Sequence, residues 1–217
     1  MRPVVISLCD ITGHMVQPWV DAGYNAVLVD PQHIITHDDG PVRKIAGTVE
    51  DAMPELADII RCGDVAMVFG FPPCTDLASS GTRWWAAKRA KDYMFQAKAA
   101  AVAEQCRTIG RLSGAPWMVE NPKGALARVF GKNGKHYMEP YWFTALEPND
   151  NYTKETYLWT GGGFVMPEPQ RDLSLGAPDD RIHKAPPGPD RENFRSATPL
   201  GFARAVFHAN SRIEAAA

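Results

Sequence analysis

Only four cysteines occur in the 217 residues of this chain, at Cys9, Cys62, Cys74 and Cys106. They are too few and too irregularly spaced for a disulfide framework or a four-thiolate zinc site, and the expectation is a reducing, intracellular setting. Strong charge is lacking too. The formal net charge is -2 and the pI about 6.3, which excludes the basic footprint of a protein that holds duplex nucleic acid mainly by its phosphates, and leaves open a local basic patch. No apolar run approaches the roughly 20 residues of a membrane helix, and no signal peptide is expected ahead of a strand that begins within about five residues of the start. A soluble, cytoplasmic protein is expected. There is no internal repeat and no heptad.

What is present is enough apolar material, 45%, for one domain with a full core. The run VVISL is followed by CDITGH, then by MVQPWVDAGY with helical spacing at Met15, Trp19 and Ala22, then by AVLVD, a second buried-strand pattern that ends in an acid. RKIAGT reads as a strand edge and EDAMPELADIIRC as a helix, and VAMVFGF follows as a strand. KRAKDYMFQAKAAAVAEQCRTIGRL reads as one long amphipathic helix leading to the strand PWMVENP. Such alternation predicts a parallel sheet covered by helices on both faces. Beyond residue 130 the pattern loosens, with TYLWTG as a further strand. The stretch 165–193 holds six prolines and reads as a loop; ATPLGFARAVFHANSR then restarts a helix, with Thr198 as N-cap and Pro199 at its first position.

The unusual residues fall at the carboxyl ends of these strands, where open parallel sheets bind ligands. Gly13 lets backbone approach a ligand near a helix start, and Asp30 stands where such folds accept hydrogen bonds from ribose hydroxyls; a turn glycine and a strand-end cap are the bland alternatives. In FGFPPCTDLASSG the two prolines stiffen the backbone ahead of Cys74, a mount suited to a thiol that must be aimed. Glu120 ends a neighbouring strand, where partial burial raises a carboxyl's pKa and lets it act as an acid near neutrality. His33 and His37 in HIITH have the spacing of a helical metal pair, but the β-branched residues between them and the absence of an adjoining glutamate favour loop histidines, and no metal is expected. Trp84 and Trp85 lie beside Arg83, Lys88, Arg89 and Lys91. They read either as a hydrophobic staple on a solvated helix or as a lid over a base with a cationic grip on phosphate.

The segments SLCDITGHMVQPWVDAGY, AVLVD, FPPCTDLASSG and WMVENP, with weaker matches in NYTKETYLWTG and RSATPLGFARAVF, resemble the cytosine carbon-5 methyltransferase family, particularly its short, phage-type members. The resemblance spans nearly the whole chain. It implies a Rossmann-like fold that binds S-adenosylmethionine through Cys9, Asp10, Gly13, Asp30 and Pro72. It further implies Cys74 as nucleophile and Glu120 as the acid at ring N3, with Asn121 orienting the ring edge. Pro73, Ser79, Ser80, Gly81 and Arg83 would line the substrate side, on a loop that closes over the base in the family. The family's arginines after the glutamate motif are missing from TKETYLW, where Lys154 is the nearest cation and would stand on the substrate side in their place. A separate target-recognition domain has no room, and the 165–193 loop stands in its place. The substrate is therefore left open between free deoxycytidylate and DNA cytosine, with uracil as a second pyrimidine and a non-catalytic nucleotide- or DNA-binding protein as the rival class.

Overall fold

The computed structural model describes residues 2–186, 188 and 191–212. The order of its strands is β1 (Val4–Leu8), β2 (Asn25–Asp30), β3 (His37–Asp39), β4 (Val42–Ala46), β5 (Val65–Gly70), β6 (Trp117–Pro122), β7 (Lys135–Met138) and β8 (Thr156–Gly161). They form one sheet ordered β3-β4-β2-β1-β5-β6-β8-β7. The five central strands, β4-β2-β1-β5-β6, are parallel, while β3 on one edge and β8 against β6 run antiparallel. Counting only the parallel strands, the order is that of a Rossmann-like sheet, with its switch point between β1 and β5.

The continuous apolar runs exist because both faces are covered. Ile6, Leu8, Val27 and Val29 pack on one face against Leu56 of α2 (Met53–Cys62) and Ala103, Cys106 and Ile109 of α4 (Phe95–Ser113). Val5, Ala26, Leu28, Met67 and Phe69 pack on the other against Trp19 of α1 (Gln17–Asp21) and Phe202, Val206 and Phe207 of α7 (Leu200–Asn210). The period-two alternation of a strand thus feeds two cores, each built from residues that burial removes from water at about 25 cal/mol per Å².

Two expectations need correction. The long alanine-rich helix is two helices, α3 (Trp85–Lys91) and α4, because Asp92 leaves helical geometry at φ -147° and ψ 102°. Its carboxylate instead accepts from the Met94 N–H at 2.9 Å and from Lys98 Nζ at 2.7 Å, the local competition with helix that aspartate is suited to. The last helix begins one residue later than expected. Pro199 is its N-cap, with ψ 130°, and Asp150 Oδ2 accepts the Gly201 N–H at 2.7 Å, so a distant carboxylate does the work expected of Thr198. The 165–193 stretch is, as expected, mostly loop. Its residues 187, 189 and 190 lie outside the described ones, but backbone bonds lay it along the segment before β8. Gln170 N–H donates to Trp142 O at 2.7 Å and Thr153 N–H to Asp179 O at 2.8 Å. A short helix, α6 (Arg191–Ser196), begins at its end. Among the described residues, no helix is long and apolar enough to cross a membrane.

Candidate active site

The turn after β1 is organised by Asp10. Its buried carboxylate accepts from Ser7 Oγ at 2.7 Å, from the Thr12 N–H and Oγ1 at 3.0 Å each, and from the Gly13 N–H at 2.8 Å. Asp10 therefore shapes the turn, and its carboxylate is engaged in doing so. Gly13, at φ 69°, adopts a conformation that favours glycine, and a Cβ there would stand 3.0 Å from Leu28 Cδ1. Cys9 also has positive φ, 56°, and its thiol is hydrogen-bonded with Cys106 on α4. That bond, with burial, pushes the Cys106 thiol well up. The Cys9 side chain is thus engaged in helix packing.

At the end of β2, Asp30 is buried and its Oδ1 accepts the Gln32 N–H at 2.8 Å. Its Oδ2 makes no hydrogen bond to a described residue. Burial raises the Asp30 pKa, while the Gln32 bond and His33 pull it down. His33 is buried with an unpartnered Nε2, and desolvation lowers its pKa against the pull of Asp30. Sequence spacing gave no sign of this. In HIITH the histidine turns in and Ile34, 95% exposed, turns out. Among the described residues there is no cluster of three or more His, Cys, Asp or Glu able to hold a metal.

The segment after β5 is fixed at several points. Phe71 N–H donates to Leu8 O at 2.9 Å, Asn121 Nδ2 donates to Pro72 O at 3.0 Å, and Cys74 O accepts the N–H groups of Leu77 and Ala78. Beyond Cys74, Ser79 N–H donates to Lys123 O and Ala125 N–H to Leu77 O. Gly124, unremarked in the sequence, permits this clamp, since a Cβ there would sit 1.9 Å from Leu77 O. Pro72 is buried, Pro73 exposed and Cys74 half-buried. Ser79, Ser80 and Gly81 begin a 3-10 turn, Ser79–Trp84, in which the two serines are exposed. Arg83 lies over the Trp84 ring at 5.0 Å, Trp84 is 56% exposed, and Lys88 is paired with Asp76. Trp84 is therefore no buried staple, and α3 buries no residue at all.

Glu120 and Asn121 are adjacent at the end of β6, the strand beside β5. Asn121 is fully buried, with Nδ2 on Pro72 O and Oδ1 unpartnered. Its amide thus holds the segment that carries Cys74. Glu120 Oε1 is shut off from solvent without a hydrogen-bond partner. Desolvation raises its pKa and the Lys154 ammonium opposes that rise. Glu120 opens on a small cavity shared with Phe71, Lys154, Ser196, Thr198 and Phe202. Lys154 is no free cation, because its Nζ donates to Ser196 O at 3.3 Å and Ala197 O at 3.2 Å. A carboxyl in such a setting holds a proton closer to neutrality than an exposed one and can donate it to an acceptor in the cavity.

No protein-family profile and no curated protein matches the chain. Among solved structures it is similar to a protein described as a DNA modification methyltransferase encoded within a prophage, from E. coli, at 14% identity and a TM-score of 0.49. The match covers 74% of this chain and 46% of that one, so the chain spans less than half the length of that protein.

Proposed function

We infer that this protein transfers a methyl group from S-adenosylmethionine to carbon 5 of a cytosine through a covalent Cys74 adduct. The observation that carries it is the pairing of a stiffened cysteine segment with a desolvated carboxyl at adjacent strand ends, next to the switch point of the sheet. Asn121 joins the two by its bond to Pro72 O at 3.0 Å.

The β1 and β2 turns fit the cofactor. The Asp30 carboxylate has one oxygen spent on Gln32 and the other available to ribose hydroxyls, and the positive φ of Gly13 leaves backbone open to close approach. S-adenosylmethionine, when bound, supplies an electrophilic methyl on its sulfonium. The Cys74 thiolate adds to carbon 6 of the ring while Glu120 gives its proton to N3, so that carbon 5 carries the electron density that takes the methyl. The methyl transfer releases S-adenosylhomocysteine; loss of the carbon-5 proton to a base then drives the electron pair back and breaks the carbon 6–sulfur bond, expelling the thiolate, while N3 returns its proton to Glu120. A proton-donating Glu120 suits cytosine rather than uracil, because N3 of cytosine accepts a hydrogen bond and N3–H of uracil donates one; burial raises the Glu120 pKa in the direction this role needs.

Incubation with methyl-labelled cofactor and deoxycytidylate, single-stranded DNA or duplex DNA tests this directly. Label is expected on carbon 5 of cytosine. Label in none of them, with the cofactor still bound, would leave a nucleotide- or DNA-binding protein without turnover.

A further inference from the structure

The short stretch 193–199 touches the β1 turn, the β2 turn and the cavity of Glu120. Asn193 Nδ2 donates to Gln32 Oε1 at 3.4 Å, beside the β2 turn. The Thr198 carbonyl lies 3.4 Å from His14 Nδ1, beside the β1 turn. Ser196, Thr198 and Pro199 wall the cavity into which Glu120 opens. The remaining tie is Lys154, which leaves the start of β8 and donates from Nζ to both Ser196 O and Ala197 O. These carbonyls are at the end of α6, where helical carbonyls lack intrahelical donors and a cation is favoured. The Lys154 backbone is anchored in turn, since its N–H donates to Glu139 Oε2 at 2.7 Å and Glu139 also accepts from the Tyr137 hydroxyl.

We propose that Lys154 is a positioning residue: by holding the carbonyls of Ser196 and Ala197 it keeps the 196–199 strap seated over the Glu120 carboxyl, closing that carboxyl away from water. The ammonium sits on the strap rather than on a substrate phosphate, yet lines the same cavity as Glu120. One side chain therefore links the closure of the cavity to the state of the acid inside it. Lys154 is the charged group that bears on Glu120, and the nearby Glu139 is committed to the Lys154 backbone and Tyr137. The proposal takes its catalytic meaning from the role inferred for Glu120, but it can be tested without turnover.

The test compares Lys154→Met with Lys154→Arg in the full chain, using two measurements. Amide hydrogen exchange reads the strap at Ala197, whose N–H donates to Asn193 O at 3.0 Å. Titration of glutamate labelled with carbon-13 at the carboxyl reads Glu120 itself, with the Glu120→Gln protein identifying its signal. In Lys154→Met, exchange at Ala197 should quicken by roughly tenfold as two hydrogen bonds are lost. The Glu120 titration should move as well: upward if loss of the ammonium dominates, downward if entry of water does. Lys154→Arg should restore both. Unchanged exchange overturns the proposal. So does faster exchange with an unmoved Glu120 titration, which would reduce Lys154 to a purely structural tie. If the wild-type protein transfers no methyl group, the function inferred above fails while these two readouts still decide this one.

Discussion

Asn121 Nδ2 donates to Pro72 O at 3.0 Å, two residues before Cys74, and the Asn121 side chain is fully buried. That bond crosses from β6 to the segment leaving β5 and fixes the separation of the two groups assigned to the chemistry. Asn121→Ala leaves a buried carbonyl without its donor, and should cost about 1–3 kcal/mol of stability by urea unfolding. Methyl transfer should fall further than the lost stability explains, because the thiol is no longer aimed. An Asn121→Ala protein with normal turnover would remove this residue from the site.

Cys74→Ala should abolish methyl transfer while leaving cofactor affinity, measured by calorimetry, nearly unchanged. The thiol attacks the base, whereas the cofactor is assigned to the β1 and β2 turns and to Pro72, and none of those contacts uses the thiol. An active Cys74→Ala protein would rule out the covalent route.

Asp30→Ala should weaken cofactor binding by about 1–3 kcal/mol, the loss of hydrogen bonds to a charged acceptor. Burial holds the Asp30 pKa above its usual 3.8. Wild-type affinity should accordingly decline as pH falls into that raised range and the acceptor is protonated. The substituted protein should lack this dependence, and equal affinity in both proteins at neutral pH would show that Asp30 does not meet the ribose.

Much of this is legible in the sequence. Each buried strand of the parallel core shows as an apolar run, because coverage on both faces removes any need for polar alternation. Strand ends announced themselves through Asp30, the two prolines before Cys74 and the ENP triplet, since a chain leaving a sheet must change character. What stayed hidden was non-local. β7 is four residues with a mostly polar reading, KHYM, and is a strand only because β8 lies beside it. Asp150 caps a helix that starts 50 residues later, and nothing in the intervening sequence marks the pair. Lys154 resembled a free cation because the carbonyls it holds belong to backbone, which leaves no trace in side-chain identity.

Asp150 also gives the fold a pH dependence. Burial pushes its carboxyl up to about 6 from 3.8, against the Gly201 N–H bond, which pulls it down. Between those values the folded chain binds more protons than the unfolded one. The stabilisation from protonated Asp150 is therefore complete below the unfolded value and is lost as pH rises through the folded one. Asp150→Asn keeps an acceptor for Gly201 but cannot ionise. Its stability relative to wild type should improve by up to about 3 kcal/mol between roughly pH 4 and 7. A difference that stays constant across that range would mean that Asp150 titrates alike in both states.

The size of the substrate is decided by what the surface can hold. A base within duplex DNA must be flipped from the stack before a thiol can reach carbon 6, which costs a few kcal/mol and requires protein surface to hold the distorted duplex. The net charge of -2 offers no general attraction for such a polymer. What is offered is local: Arg83 over the 56% exposed Trp84, and Tyr93, 79% exposed, at the break between α3 and α4. Exposed aromatic rings beside cations suit stacking with unpaired bases, and the same cations could hold one 5′-phosphate. A competition among deoxycytidylate, single-stranded DNA and duplex DNA across a salt series separates these. Polymer methylation should fall steeply with salt because counterion release drives that binding, whereas reaction of a mononucleotide should fall far less. Trp84→Ala should depress methylation of single strands more than that of deoxycytidylate, by about 1–3 kcal/mol for one lost stacking partner. The small substrate is favoured on charge and surface. Methylation confined to duplex DNA in a defined sequence context would overturn that preference and assign base reading to the 165–193 loop.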